Sequence, residues 1–380
     1  MRDQIKFSAG ENPYAVEYGG FYRRWMPMLT DIDELVTAVG KIKSTTEESW
    51  IPVWSAFAYE HERKGDEFIK ENKQEKAYNE FMLAKTYLSI ARYPGEITES
   101  KRKISAECSR VYRKACELLE PKVEIVKVSC GDKEITCHFR CPNGADKTAA
   151  VLIMCGADMF KEDRGWASQH AIDNGLASLV MDGPATGENP FPWEPESVSA
   201  WMAAIDYLAG RPEVDENKIG AFGISRGGYS VVQLAGSYPE MVKAIVANAG
   251  HPFGYKMTEE EMINFVKARN DRAQHVFGQI GDPPSFPPWT VEKEQTLFEK
   301  WSLSSLGILD KINQPMLLIN GKKDHLAPIG NIYFLLENGP PHGREARIYP
   351  DAGHCAFKYQ DHWAAASFEW LSKKLSEIKL

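Results

Sequence analysis

The sequence predicts an α/β protein in which a mostly parallel sheet carries helices on both faces. Two observations on the 380 residues indicate this. Apolar residues recur at helical spacing up to residue 121, and short apolar runs alternate with helical segments from residue 122 onward. Residues 251–304 interrupt that alternation and are too long for a plain connection. We therefore expect an N-terminal helical cap region (1–121) and a larger domain (122–380) with a lid insertion at about 251–304.

The N-terminal region carries clear signals for the beginnings and ends of helices. Thr30–Asp33 and Thr45–Glu48 each offer a capping side chain followed by acids, ahead of an apolar pattern. A third helix is ended by Tyr93–Gly95, and a fourth, Thr98–Leu119, is ended by Pro121. The last two helices resemble a helical-repeat pair, but about three repeats are needed to bury a shared face. A small helical bundle is the favoured interpretation.

The larger domain is expected to contain strands that alternate with helices. The run from Ala149 to Cys155 is continuously apolar, as expected of a strand buried on both faces. The two strands before it are joined through Gly131 and Asp132. Strands are predicted at 123–128, 134–139, 149–155, 176–181, 218–224, 242–247, 315–320 and 345–349, and helices near 165–174, 197–209, 226–237, 331–337 and from 363.

Composition limits the classes of partner. The chain has 45 Lys and Arg against 53 Asp and Glu, a net charge of −8, and no long basic block. Neutralising nucleic-acid phosphates needs such a block, so we expect no nucleic-acid partner. The longest apolar run is far below the ~18 residues that cross a bilayer, so we expect no membrane partner either.

The seven cysteines indicate a reducing compartment. Their number is odd, none forms a Cys-x-x-Cys pair, and the N-terminus lacks the apolar stretch of a secretion signal. We therefore expect free thiols and a cytoplasmic location. No phosphate loop and no His-Glu-x-x-His sequence occurs, and His251, His325 and His354 lack partners at metal-ligand spacing. The sequence thus predicts no metal and no cofactor.

A Gly-x-Ser-x-Gly sequence surrounds Ser225. Alone it is a weak signal, but here it follows the apolar strand ending at Ile224 and opens a helix at Arg226. Such a sharp strand-to-helix turn needs glycines on both sides, here Gly223 and Gly227, because neighbouring backbone crowds the serine. The helix N-terminus also favours negative charge that develops near the hydroxyl. Ser225 is therefore the candidate nucleophile.

A serine nucleophile needs a base, and the base needs an orienting acid. Asp324 and His354 each follow a predicted strand, so both lie at the edge where open α/β sheets collect active sites. The order Ser225, Asp324, His354 is the chain order of the α/β-hydrolases. His325 is a rival base and Asp351 a rival acid. We prefer Asp324 as the acid because Asp351 is too near His354 in sequence to stand behind its ring. We prefer His354 as the base because His325 is next to the acid in sequence.

An oxyanion needs two N–H donors. One should be the amide of Arg226, and the other should come from the loop after the Ala149–Cys155 strand. Ala157 is the preferred second donor and Asp158 the alternative. The Asp158 carboxylate would oppose catalysis if it faced inward. We also place Asp158, His251 and Trp289 among the candidate residues of the substrate pocket.

On these residues, the chain resembles the FrsA-like group of α/β-hydrolases. That group includes a hydrolase of nicotine breakdown and fungal polyketide-shortening hydrolases of the yellowish-green-pigment type. The resemblance rests on the Tyr87–Pro94 helix end, Asp182–Pro184, the Ser225 turn and the Asp351–His354 segment. It implies a bulky small-molecule substrate, hydrolysis at a carbonyl carbon, and a homodimer through the N-terminal helices. Two positions depart from the group: Ala247–His251 lacks a carboxylate that some relatives carry, and Ala185 stands where relatives usually have glycine.

Three functions follow as hypotheses. The first is cleavage of a C–C bond beside a ketone in a polyketide or aromatic catabolite. It requires a resonance-stabilised leaving carbanion and hence a β-diketone or acyl-phenol substrate. The second is hydrolysis of a small-molecule ester by a carboxylesterase or lactonase. The third is a non-catalytic binding or regulatory protein, since a fold does not imply an activity. Reaction with a fluorophosphonate probe at Ser225 would distinguish the first two from the third.

Overall fold

The computed structural model describes most of the chain. The described residues are 25, 28–29, 31–43, 46–93, 98–144, 147–251, 257–277, 289–340 and 343–378, with backbone alone for 32, 268–269 and 271–277. Thr30, Thr45, Pro94 and Gly95, used above as helix signals, lie outside these ranges, as do residues 252–256 and 278–288 of the predicted lid insertion. The chain divides into two compact units, one of residues 1–122 and 270–288 and one of residues 123–269 and 289–380.

The first unit is helical. Asp31 Oδ1 accepts a hydrogen bond from the Glu34 amide at 2.9 Å, and Thr98 Oγ1 accepts one from the Lys101 amide at 3.2 Å. These caps satisfy amides that a helix start leaves without a partner. The helices are α1 (Ile32–Gly40), α2 (Glu47–Lys70), α3 (Gln74–Arg92) and α4 (Glu99–Cys116).

A histidine is buried between the first three helices. His61 of α2 contacts Glu34 of α1 through Nε2 at 2.7 Å and Glu80 of α3 through Nδ1 at 2.6 Å. The Tyr87 hydroxyl donates to the same Glu34 oxygen at 2.6 Å, and the Tyr87 ring stacks on the imidazole. This histidine therefore links three helices through polar contacts.

The second unit is built on an eight-stranded sheet in the order β1-β2-β4-β3-β5-β6-β7-β8. The β1–β2 and β2–β4 pairs are antiparallel, and the other pairs are parallel. The mostly parallel sheet that the sequence predicts is confirmed. The strands are β1 (Glu124–Cys130), β2 (Lys133–Arg140), β3 (Thr148–Met154), β4 (Ala177–Met181), β5 (Val214–Ile224), β6 (Val242–Asn248), β7 (Met316–Gly321) and β8 (Arg344–Tyr349).

Helices cover both faces of this sheet. Alternate residues of β3 enter opposite cores: Leu152 belongs to one apolar cluster and Val151 to the other. This is the alternation expected of a strand buried on both sides. Trp201 and Val231 of α6 and α7 complete the first core, and Phe368 of α11 the second. The helices of this unit are α5 (Gly165–Asp173), α6 (Val198–Ala209), α7 (Arg226–Ser237), α9 (Val291–Trp301), α10 (Gly330–Glu337) and α11 (Gln360–Ser376). Helix α8 (Glu259–Phe277) contains residues of both units.

Two element boundaries of the second unit differ from the sequence prediction by more than two residues. Strand β5 begins at Val214, four residues early, because Val214 pairs with Thr148 although polar residues follow it. Helix α11 begins at Gln360, where a short 3₁₀ segment from His354 to Tyr359 leads directly into it. Helices α8 and α9 fall within the segment predicted as a lid insertion. Among the described residues, no helix is both long and apolar enough to cross a membrane.

Candidate active site

Ser225 occupies the sharp turn between β5 and α7. Its backbone is left-handed, with φ 57° and ψ −118°, and its amide donates to the Asn248 carbonyl at 2.7 Å. Strain of this kind costs on the order of 1–3 kcal/mol and persists only where the surroundings enforce it. A Cβ on Gly223 would collide with the Gly227 backbone, and one on Gly227 would lie 2.5 Å from the Met154 carbonyl oxygen. Both glycines are therefore required by close backbone contacts.

The structure brings Ser225, His354 and Asp324 together. His354 Nε2 lies 2.8 Å from Ser225 Oγ, and His354 Nδ1 lies 2.7 Å from Asp324 Oδ2. Both distances are within hydrogen-bond range. With the proton on Nδ1 donated to Asp324, Nε2 is free to accept the serine proton.

Asp324 has other hydrogen-bond partners besides His354. Its Oδ1 accepts from the amides of Leu326 and Ala327 at 2.7 and 3.0 Å. Its Oδ2 accepts from the side-chain amide of Asn320 at 2.8 Å, besides the His354 contact. Burial acts to raise the pKa of Asp324, but the His354 charge and these hydrogen bonds outweigh it and lower the pKa below its usual range. Asp324 is thus fixed as a carboxylate by four donors.

The sequence analysis missed Asn320. This residue is buried in β7, and its side chain binds Asp324 Oδ2 and the Ala327 carbonyl, at 2.8 and 2.9 Å. Its position four residues before the candidate acid was the only available signal. Asn320 is part of what sets the direction of the Asp324 carboxylate.

His354 sits on an equally constrained loop. Cys355 and Ala356, the next two residues, are both left-handed, with φ 58° and 47°. The Asn248 side chain donates to the Cys355 carbonyl at 3.2 Å, and the Trp363 indole donates to the Ala356 carbonyl at 3.0 Å. Because Asn248 also accepts the Ser225 amide, this one residue contacts both the nucleophile turn and the histidine loop.

Burial acts to lower the pKa of His354, since it disfavours the imidazolium. The neighbouring Cys355 and the Asp324 carboxylate act in the opposite direction and prevail, so the pKa of His354 is raised above its ordinary value. Protonation would remove the lone pair that accepts the serine proton. A role of His354 as base would therefore require a pH above this raised pKa.

The two rival residues lie elsewhere. His325 is exposed. The Asp351 carboxylate is exposed and accepts from Lys358 Nζ at 2.7 Å and from the Tyr359 hydroxyl at 2.6 Å. These contacts hold the pKa of Asp351 at about 2. Neither rival takes part in the hydrogen bonds that join Ser225 to His354 and Asp324.

The loop after β3 runs beside the serine. A Cβ on Gly156 would lie 3.4 Å from Ser225 Cβ and 3.1 Å from the Ile224 carbonyl oxygen. Ala157 and Asp158 follow in this loop, both half-buried. The loop thus lies where an oxyanion donor is needed, and the assignment of the Ala157 and Arg226 amides to that role stays a prediction.

His251 and Trp289, two other pocket candidates, contact residues of α8 and α9. The His251 ring lies edge-on to Phe265 of α8, with centroids 6.0 Å apart. The Trp289 indole donates to the buried Glu294 carboxylate of α9 at 2.8 Å. A substrate-binding role for Asp158, His251 and Trp289 stays a prediction.

An aromatic stack beside the serine was not predicted. The guanidinium of Arg226 lies over the ring of Trp193, with Cζ 4.4 Å from the centroid. Trp193 in turn stacks on Trp301, the last residue of α9, at 4.4 Å and 13°. Arginine on an indole face is a favourable cation–π contact. The stack links the start of α7 to the end of α9.

Comparison with known sequences adds a family and several relatives. A family model described as Esterase FrsA-like matches residues 30–339. The 2,6-dihydropseudooxynicotine hydrolase of Paenarthrobacter nicotinovorans is 22% identical over 342 residues, covering 87% of this chain and 86% of the relative. Esterase FrsA of Vibrio parahaemolyticus serotype O3:K6 is 25% identical over 204 residues (52% and 48%), and hydrolase pyiE of Pyricularia grisea is 26% identical over 247 residues (57% and 53%). The chain therefore spans about half the length of the last two relatives.

Two solved structures share the fold over nearly the whole chain. The crystal structure of 2,6-dihydroxy-pseudo-oxynicotine hydrolase matches with a TM-score of 0.76 at 21% identity, covering 93% of this chain and 95% of the other. AbyA5 matches with a TM-score of 0.71 at 16% identity, covering 90% of each chain. At these identities, the likeness shows the fold alone.

Proposed function

Since the chain belongs to the FrsA-like family of esterases and is an α/β-type hydrolase, we propose that it is a serine hydrolase that cleaves a bond at a carbonyl carbon. The observation that carries this proposal is the hydrogen-bonded series from Asp324 through His354 to Ser225, at 2.7 and 2.8 Å. The strained backbone of Ser225 and the four donors on Asp324 support it further.

In the proposed reaction, Ser225 Oγ attacks the carbonyl carbon and its proton passes to His354 Nε2. The carbonyl oxygen becomes an oxyanion that accepts hydrogen bonds from the amides of Arg226 and Ala157. When the C=O bond re-forms, the leaving group departs and takes the proton from His354. Water then attacks the acyl-enzyme by the same route, which releases the acid and restores Ser225. Asp324 orients the imidazole and stabilises its charged form throughout.

For the bond cleaved, we propose a C–C bond beside a ketone, in a β-diketone or an acyl-phenol. A carbon leaving group must be stabilised as an enolate or phenol-type anion, which these two classes allow. The match to the pseudooxynicotine hydrolase over 86% of its length supports this choice. The second candidate is a carboxylesterase or lactonase, which the family description favours. Either substrate would be a small molecule held between the carboxyl edge of the sheet and the lid helices of the second unit.

The test is turnover by wild type and by Ser225→Ala on p-nitrophenyl esters of increasing bulk, a β-diketone and an acyl-phenol. Fluorophosphonate labelling is measured in parallel. We expect Ser225→Ala to lose labelling and at least about 10⁴-fold in kcat. Ser230→Ala is the matched control, since its buried hydroxyl donates to the Arg226 carbonyl within the same helix. Acid release from the carbon-linked substrates alone supports C–C hydrolysis, and release from esters alone supports the esterase. A folded wild type that neither reacts with the probe nor turns over any substrate would support the non-catalytic binding protein instead.

The proposal extends to the roles of the two units, the location and the oligomeric state. The first unit acts as a cap and the second as the catalytic domain, the location is cytoplasmic, and the chain forms a homodimer through its N-terminal helices. Light scattering of the purified protein tests the dimer: a single species at the 42.8 kDa monomer mass would contradict it.

A further inference from the structure

A buried group of charges lies next to the loop that follows β3. The ammonium of Lys161 contacts the carboxylates of Asp182 at 3.0 Å, Glu162 at 2.9 Å and Glu188 at 2.7 Å. The side chains of Lys161 and Glu162 are 1% exposed and that of Asp182 is 0% exposed, whereas that of Glu188 is 39% exposed. Removing such charges from water is costly, so this arrangement is weak evidence for stability and calls for another explanation.

Its position relative to the loop supplies that explanation. The loop Gly156–Phe160 is bracketed by Cys155 and Lys161. The Cys155 amide donates to the Met181 carbonyl at 3.4 Å, and the Lys161 amide donates to Asp182 Oδ1 at 2.7 Å. Met181 and Asp182 are adjacent, at the end of β4. Both ends of the loop are therefore held by two consecutive residues of one strand end.

The Asp182 carboxylate is itself fixed from several sides. Its Oδ2 accepts from Lys161 Nζ at 3.0 Å and from the Glu188 amide at 3.1 Å. The left-handed Gly187 packs so closely that an added Cβ would collide with the carboxylate. Burial raises the pKa of Asp182, and the Lys161 charge opposes that shift. The carboxylate thus has little freedom to move, and neither has the Lys161 amide that it binds.

We propose that Lys161 and Asp182 are positioning residues that fix the loop Gly156–Phe160, and with it the second oxyanion donor, against Ser225. This rests on the proposed function, in which the Ala157 amide is that donor. Lys161 and Asp182 touch no reacting atom in this scheme. They set the distance between the Ala157 amide and the oxyanion, so they affect the transition state more than the bound substrate.

The experiment compares Asp182→Asn, Asp182→Ala and Gly187→Ala with wild type on whichever ester, β-diketone or acyl-phenol of the panel wild type turns over fastest. Asn keeps the Oδ1 acceptor for the Lys161 amide, Ala removes it, and Gly187→Ala displaces the carboxylate without changing any charge. Fluorophosphonate labelling taken to its end point counts folded active sites, so that kcat is expressed per labelled serine. Lys127→Met is the matched control, because it breaks an exposed pair with Glu134 on the edge hairpin.

We expect kcat per labelled serine to fall about tenfold in Asp182→Asn and Gly187→Ala and about 100-fold in Asp182→Ala, since losing one oxyanion donor costs about 10²–10³ in kcat. KM should stay within about threefold, and the rate of labelling should fall in step with kcat. Lys127→Met should match wild type in both.

Variants that lose stability but keep wild-type kcat per labelled serine would overturn the positioning role, and so would a loss expressed in KM alone. If Asp182→Ala does not fold, Gly187→Ala decides the question by the same criteria, because its charges are intact. A wild type that neither labels nor turns over overturns the proposed function first. An active wild type with unaffected variants overturns this inference alone.

Discussion

Two histidines of this chain, the buried His61 and the half-buried His354, both contact carboxylates but differ in the chemistry that they can support. His61 in the helical unit faces Glu34 through one nitrogen and Glu80 through the other, at 2.7 and 2.6 Å. His354 in the sheet unit faces Asp324 through Nδ1 at 2.7 Å and a hydroxyl, Ser225 Oγ, through Nε2 at 2.8 Å. Both side chains are largely buried and both lie beside carboxylates.

The difference lies in what the second nitrogen meets. Both nitrogens of His61 face carboxylate oxygens, so neither faces a hydroxyl that could give up a proton. A hydroxyl can donate, so Nε2 of His354 keeps an acceptor position toward Ser225. Burial and a carboxylate partner therefore do not identify a catalytic base. What identifies a catalytic base is the group that the second ring nitrogen faces, a hydroxyl for His354 and a carboxylate for His61.

The largest expected effect comes from exchanging each histidine for glutamine. His354→Gln should lower kcat by at least about 10⁴-fold, because no base remains to take the serine proton. His61→Gln should change kcat per labelled serine by less than about twofold, and should lower the free energy of unfolding by about 2 kcal/mol, since two carboxylates lose their shared donor. Denaturant unfolding and steady-state kinetics measure the two effects. A large kcat loss in His61→Gln would contradict the purely structural role that we assign to His61.

A smaller effect is expected from the residue that supports the acid. Asn320→Ala removes one of the four donors on Asp324 and leaves the two backbone amides and His354 in place. We expect about a tenfold loss in kcat with KM nearly constant, as for a misoriented rather than a missing group. Asn338→Ala serves as the control, because its side chain donates to the Phe334 carbonyl at the end of α10, away from Asp324. Equal kcat in both variants would show that Asp324 needs no such support.

The smallest effect concerns pH. Neutral His354 is the active form and its pKa is raised, so kcat/KM should rise with pH through a value above the ordinary ~6.5 of an imidazole. Asp324→Asn removes a charge that favours the imidazolium, so the remaining activity should show this rise at lower pH. His61→Gln should leave the profile where it is in wild type. A wild-type profile that is flat from pH 6 to 9 would contradict the assignment of His354 as base.

The sequence allowed the fold and three central residues to be predicted because each follows a recognisable apolar run. The turn at Ser225 carries its own glycines, and Asp324 and His354 come just after strands at the same sheet edge. The supports could not be predicted in this way. Asn248 acts through a contact 107 residues away, with the Cys355 carbonyl. The Lys161–Asp182 pair joins two loops, and charged residues in loops are ordinarily solvated.

The backbone conformation of Ala185 is another feature that could not be predicted from the sequence pattern. The family resemblance leads us to expect glycine at this position. In the structure the φ of Ala185 is 56°, in the region where a side chain is disfavoured and glycine is not. Glycine would adopt this backbone conformation without that cost, and no pattern of apolar residues reports such a conformation.

The sheet order has a consequence for how this protein reaches its active form. Ser225 and His354 are 129 residues apart, and they meet only when β5, β6, β7 and β8 are in register. The helices of the first unit pack mainly on their neighbours in sequence, and such local contacts form sooner than non-local strand pairing. Recovery of turnover after dilution from denaturant therefore reports completion of the sheet, whereas recovery of helical circular dichroism reports an earlier stage. Catalysis by Ser225, His354 and Asp324 would therefore serve as an internal reporter of completed folding.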